Sequence, residues 1–124
     1  MISSLVDRAD RIWDALTRLY EDHPVGFLTA LVAIGFFLRV AATPFGTPVN
    51  LDVFAYMLKA IEIGRGDWTP VRSHAIGWPI LLAPVLAPFA HLSMMTWMNL
   101  TRLTADFVGA LVVVPLAILV RETL

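Results

Sequence analysis

Cysteine is absent from this 124-residue chain, which excludes disulfides, thiolate nucleophiles and Cys-ligated metals. Charge is scarce too: charged residues make up 15% of the sequence, where a soluble domain carries roughly a quarter. The net charge of −1 leaves no basic surface for nucleic acid. The phosphate-loop, dinucleotide-fingerprint and HExxH zinc patterns are all missing. There is no repeat at a fixed period and no low-complexity tract. Residues 1–22 contain no early apolar core, so no cleavable signal peptide is expected. What the chain does have is apolar surface, at 58% of residues and a mean hydropathy of +0.74. That balance predicts an all-α integral membrane protein.

Residues 1–23 are expected to form an amphipathic helix lying in the membrane interface. Ile2, Leu5, Val6, Ala9, Ile12, Trp13, Leu16, Leu19 and Tyr20 recur at three- and four-residue steps, making one apolar stripe. Asp7–Arg11 and Asp14–Arg18 are favourable i,i+4 pairs, and His23-Pro24 breaks the pattern. Residues 24–124 form the transmembrane region, with spans expected at about 25–43, 75–90 and 103–120. The first would reach roughly 28 Å, one hydrocarbon thickness. From Ala75 to Thr101 there is no Asp, Glu, Lys or Arg. As one helix that stretch would run about 40 Å, so a turn is expected near His91-Leu92-Ser93, with Pro79, Pro84 and Pro88 bending the path before it. The third helix would enter near Trp97, kink at Pro115 and close at Arg121-Glu122. Residues 44–74 form the loop between the first two spans.

Within that loop, Pro44 and Pro48 end the first helix, and Asn50 is placed to cap a short surface helix over 51–63, stopped by Gly64. Phe54, Leu58 and Ile61 are expected to line one side, with Asp52, Tyr56 and Lys59 on another arc. Asp52 reads either as a first-turn acid on the helix dipole or as a base at the membrane surface. Arg39, near the end of the first span, either snorkels to the headgroups or faces a phosphate-bearing ligand. Tyr56 reads as an interfacial anchor, Asp106 as a packing residue close to the membrane edge. Asn99-Leu100-Thr101 matches a glycosylation sequon by chance. His74 and His91 lie at opposite ends of the second expected span, so they would not share a metal.

Charge does not orient the three expected spans. Arg8, Arg11, Arg18 and Arg102 fall on one side, and Arg39, Lys59, Arg65, Arg72 and Arg121 on the other, four against five.

The order of features resembles a family. A span ending in Leu38-Arg39, a Pro-rich gap, Asp52-x-x-x-Tyr56, then Ala60-Ile-Glu-Ile-Gly64, a polar loop and Gly77-Trp-Pro-Ile-Leu-Leu82 resemble the N-terminal part of GT-C glycosyltransferases. These polytopic enzymes use polyprenyl- or dolichyl-phosphate sugars and include the protein mannosyltransferase and aminoarabinose transferase groups. Asn99-Leu-Thr-Arg102-Leu-Thr-Ala-Asp106-Phe-Val-Gly109-Ala resembles the segment after the second span. Two positions depart from the pattern. Val53 follows Asp52 where an acidic pair is usual, and Gly77-Trp78-Pro79 stands where Tyr-Pro-Pro is common.

The resemblance implies that Asp52 serves as the general base on the acceptor, or in some branches helps hold a divalent metal, which nothing else in the sequence supports. It implies that Arg39, Arg72 and His74 contact the donor phosphate and that Tyr56 lies at the substrate. Transfer would occur on the extracytoplasmic face of the cell membrane, in a bacterium the inner membrane, with lipids and a polyprenyl-phosphate sugar as partners. Three helices cannot enclose both donor and acceptor, so the chain is expected to be a piece of a longer enzyme that supplies the remainder. The alternative is a small non-catalytic multi-pass subunit or assembly factor.

Overall fold

A computed structural model describes residues 2–69 and 76–123, and every regular element among them is helical. The elements are α1 (Ile2–Asp22), α2 (Pro24–Ala42), α3 (Leu51–Gly64), α4 (Gly77–Leu86) followed by a 3-10 turn (Ala87–Phe89), α5 (Met94–Leu111) and α6 (Val113–Thr123). They fall into two compact units, Met1–Leu38 with Ala110–Leu124, and Arg39–Gly109.

In the first unit, α1 carries the expected apolar stripe on its surface, with Val6, Ile12, Trp13, Leu16 and Leu19 all exposed. It ends at the break set by Pro24, which has no N–H to donate and takes the first position of α2. His23 spans the junction: its N–H donates to Leu19 O at 3.1 Å and its carbonyl accepts from Phe27 N at 2.9 Å. The rings of Tyr20 and Phe27 meet edge to face across it, 5.7 Å apart. Helix α2 has 19 residues and buries none of them. Val25, Ile34, Phe37 and Leu38 all face outward. A helix that is largely apolar and has no fully buried residue suits a hydrocarbon solvent. Helices α5 and α6 are separated by a break at Val112. Pro115 explains it, because the missing N–H and the ring both disturb the carbonyl of Leu111. The next ladder bond, Leu116 N to Val112 O, is long at 3.4 Å.

Among the described residues, two helices are thus long and apolar enough to cross a membrane, Pro24–Ala42 with 19 residues and Met94–Leu119 with 26. The expected second span is built differently. Gly77–Phe89 is a shorter apolar segment, roughly 20 Å long and so less than one hydrocarbon core. Pro84 and Pro88 remove successive ladder donors, and the helix tightens into a 3-10 turn there. A turn follows, as expected, and Trp97 fastens it by donating its indole N–H to Phe89 O at 2.9 Å. Helix α5 begins at Met94, three residues before the expected entry near Trp97. Ser93 is the reason: its hydroxyl oxygen accepts from Thr96 N at 3.3 Å, an N-cap placed ahead of Met94-Met95-Thr96-Trp97.

The second unit is organised around the α3–α4 hairpin. Asn50 caps α3 as expected, its Oδ1 accepting from Val53 N at 2.9 Å. The stop lies two residues later than expected. Gly66, at φ +93°, takes the left-handed position, with Gly66 N bonding to Ile63 O and Asp67 N to Glu62 O. This is the paired 5→2 and 6→1 closure of a Schellman motif. Gly64 remains helical because of packing: a Cβ there would overlap the Cβ of Ala87. Met57, Ala60, Ile61 and Ile63 from α3 bury against Leu82, Ala83 and Leu86 from α4, with Met98 of α5 completing the core. The expected faces of α3 are therefore rotated. Leu58 is 42% exposed while Lys59 is only 6% exposed. Close approach to the small residues of α4 dictates which side turns inward, and it selects the Met57–Ala60–Ile61–Gly64 side.

Candidate functional site

Helix α5 presents one polar face to the segment after α2. Asn99, Arg102, Asp106 and Gly109 recur at three- and four-residue spacing, and each meets the end of α2 or the loop after it. Asp106 Oδ2 lies 2.7 Å from the Thr43 hydroxyl, which is also 2.9 Å from Arg39 O. The single hydroxyl proton is best used on the carboxylate, a charge-assisted bond. Arg102 Nη2 donates to Thr47 Oγ1 at 2.8 Å and to Pro48 O at 3.2 Å. Asn99 Oδ1 accepts from Gly46 N at 3.2 Å, and Gly46 sits at φ +78°, a conformation that favours glycine. The contacts run in opposite directions along the two segments. As the chain passes from Arg39 through Thr43 to Pro48, its partners pass from Gly109 through Asp106 to Arg102 and Asn99.

This clamp fixes the approach to α3. Asp52 is the second residue of that helix and is exposed. Tyr56 follows one turn later, half-buried and packed against the hairpin core, so its ring is structural as well as superficial. Arg39 stands in the last turn of α2, exposed, with its guanidinium laid over Gly109. Arg72 and His74 lie outside the described residues. Asp52 and Tyr56 are thus brought together on α3, while the Arg39 side chain is turned onto α5 at Gly109. Among the described residues no group of three or more His, Asp or Glu is arranged to hold a metal ion.

A second polar cluster was not anticipated. Lys59 Nζ pairs with Glu62 Oε2 at 2.9 Å and reaches Asp67 O at 3.4 Å. Asp67 Oδ1 in turn accepts from Thr69 N at 3.0 Å and from the Thr69 hydroxyl at 2.6 Å. The lysine stem is buried in the hairpin while its head ties down the loop beyond α3. The signal in the sequence was the Asp67-Trp68-Thr69 turn pattern, an Asp bonding its own backbone two residues on. The two Thr69 hydrogen bonds hold the Asp67 carboxyl below its ordinary value of 3.8, with the Lys59 charge adding a smaller push in the same direction. A depressed folded-state pKa contributes stability that is present above 3.8 and lost as pH falls through the lower folded value. Protection of the Thr69 amide, its hydrogen–deuterium exchange rate relative to the intrinsic rate at the same pH, should therefore fall on acidification below pH 3.8, and Asp67→Asn should remove that step.

Beside the hairpin lies an open apolar groove of about 530 Å³, with Ile63, Gly64, Trp68, Ile80, Pro84 and Pro88 among its walls. Asp52, Tyr56 and Arg39 are not part of it. Comparison with known protein families, with curated proteins and with solved structures finds no match to this chain.

Proposed function

We propose that the chain is the N-terminal membrane region of a GT-C-type glycosyltransferase, transferring a sugar from a polyprenyl-phosphate donor, with Asp52 as general base toward the acceptor. The observation that carries this reading is the clamp: Asn99, Arg102 and Asp106 hold residues 43–48 against α5, so the carboxylate four residues further on is presented from a fixed segment. Preorganisation of this kind is what a base needs to meet its proton donor in reach. Tyr56 lies one turn along on the same helix, and Arg72 and His74 of the following loop remain the candidates for the donor phosphate.

In this reading the chain crosses the bilayer twice, not three times, with α1 in the interface on the cytoplasmic side. Helix α2 leads outward and α5–α6 leads back. Residues 43–93 then all lie on the extracytoplasmic face, and Gly77-Trp78-Pro79 opens a helix on that face rather than a second span. That is a departure from the family's pattern. Charge is again divided four against five, with Arg8, Arg11, Arg18 and Arg121 inside.

A non-catalytic membrane subunit is the second reading. It is favoured by the groove, which is lined by apolar side chains and includes neither Asp52, Tyr56 nor Arg39. The two separate in one assay. Membranes bearing the chain within its natural complement of partners are supplied with a radiolabelled polyprenyl-phosphate sugar. Label appearing in an acceptor above that of membranes lacking the chain supports the transferase. Equal label in the two, with the chain co-purifying with other membrane proteins, supports the subunit.

A further inference from the structure

The guanidinium of Arg39 is held in an unusual place for a charge at the end of a membrane-length helix. It lies flat against the backbone of α5 at Gly109, and a Cβ built on that glycine would stand 2.9 Å from Nη1, 3.0 Å from Cζ and 3.4 Å from Nε. Three atoms at such distances describe a planar group resting on a notch, which only glycine leaves open. Among the described residues, the guanidinium donates to no acceptor and forms no ion pair. The nearest acid along that face, Asp106 one turn away, is engaged by Thr43 instead. Arg39 is the only charged residue of α2. Five N–H donors on a permanent cation therefore remain open at the outer end of an apolar helix, where an unpaired charge is costly and water is depleted.

We propose that Arg39, seated on Gly109, binds the phosphate of a single lipid headgroup. Phosphate is the anion present at that depth in every bilayer, and its oxygens match the guanidinium fork in a bidentate pair. The glycine makes this more than snorkelling. A snorkelling arginine is free to sample the headgroup region, whereas a guanidinium fixed against α5 presents one edge to one ligand. Asp106 sets the direction of approach, since its carboxylate repels an anion from the Thr43 side. The inference uses only the membrane reading, not sugar transfer, so it stands or falls separately from the transferase.

The test is lipid retention by the purified full chain in detergent, measured by native mass spectrometry with phosphatidylglycerol titrated in. The wild-type protein should hold one lipid tightly. Arg39→Gln should weaken retention about tenfold or more, the scale of one charge-assisted contact. Gly109→Ala keeps the arginine but fills its seat, and should weaken retention several-fold with unchanged helical circular dichroism. Arg39→Lys keeps the charge without the planar fork and should fall between wild type and Arg39→Gln. Retention by both Arg39→Gln and Gly109→Ala equal to wild type would overturn the proposal. So would displacement of the lipid by millimolar inorganic phosphate, which would make the site one for free anions.

Discussion

In the proposed transferase, replacing Asp52 with Asn is expected to lower sugar transfer by about 10²–10⁴-fold, the usual loss when a general base is removed. Asn keeps the shape of Asp and most of its hydrogen bonding but takes up no proton near neutrality. The structure makes this substitution clean. Helix α3 is capped by Asn50, whose Oδ1 accepts from Val53 N at 2.9 Å, so the start of the helix does not depend on the acid at position 52. The carboxylate's interaction with the helix dipole contributes only about 0.3–1 kcal/mol, a change that folding tolerates. Transfer measured at matched protein levels separates the two roles by orders of magnitude. Near-wild-type transfer by Asp52→Asn would leave the residue a helix-start acid.

The largest structural effect is expected at Gly64. Val in its place would drive Cβ into the Cβ of Ala87 and force α3 away from α4. Overpacking of a tight contact costs about 1–3 kcal/mol, and here it would also loosen Met57, Leu82 and Leu86, the innermost side chains of the hairpin. The loss should appear as a lowered unfolding midpoint followed by tryptophan fluorescence, because Trp78 and Trp97 pack on this core. Ala87→Gly should recover much of it in the double variant. A double variant as unstable as Gly64→Val alone would place the strain somewhere other than this contact.

The sequence made the helices legible where one physical signal dominated. The apolar run of α2, the alternating stripe of α1 and the Asn50 cap each fixed an element to within a residue or two of its observed place. It failed where packing decided the outcome. The inward turn of Lys59 and outward turn of Leu58 follow from Gly64 meeting Ala87, a contact between helices that no periodicity within α3 reveals. The segment expected as a span over 75–90 lacks charge, and its described part is a short apolar helix, Gly77–Leu86, that tightens into a 3-10 turn at Ala87–Phe89. The face formed by Asn99, Arg102, Asp106 and Gly109 was visible as spacing, but its meaning depended on the loop opposite. Asp52 was the easiest candidate to find and is the one whose surroundings say least. The clamp that positions it was found only in three dimensions.

The arrangement of the membrane region carries the whole functional reading, and the absence of native cysteine makes it directly measurable. Single cysteines at Thr17, Leu51 and Leu92, all exposed positions, can be exposed to a membrane-impermeant thiol reagent in intact cells. Two crossings with residues 43–93 outside predict labelling at Leu51→Cys and Leu92→Cys and protection at Thr17→Cys until the cells are opened. Protection at position 92 together with 17, while 51 labels, would restore a third crossing between them and contradict the account.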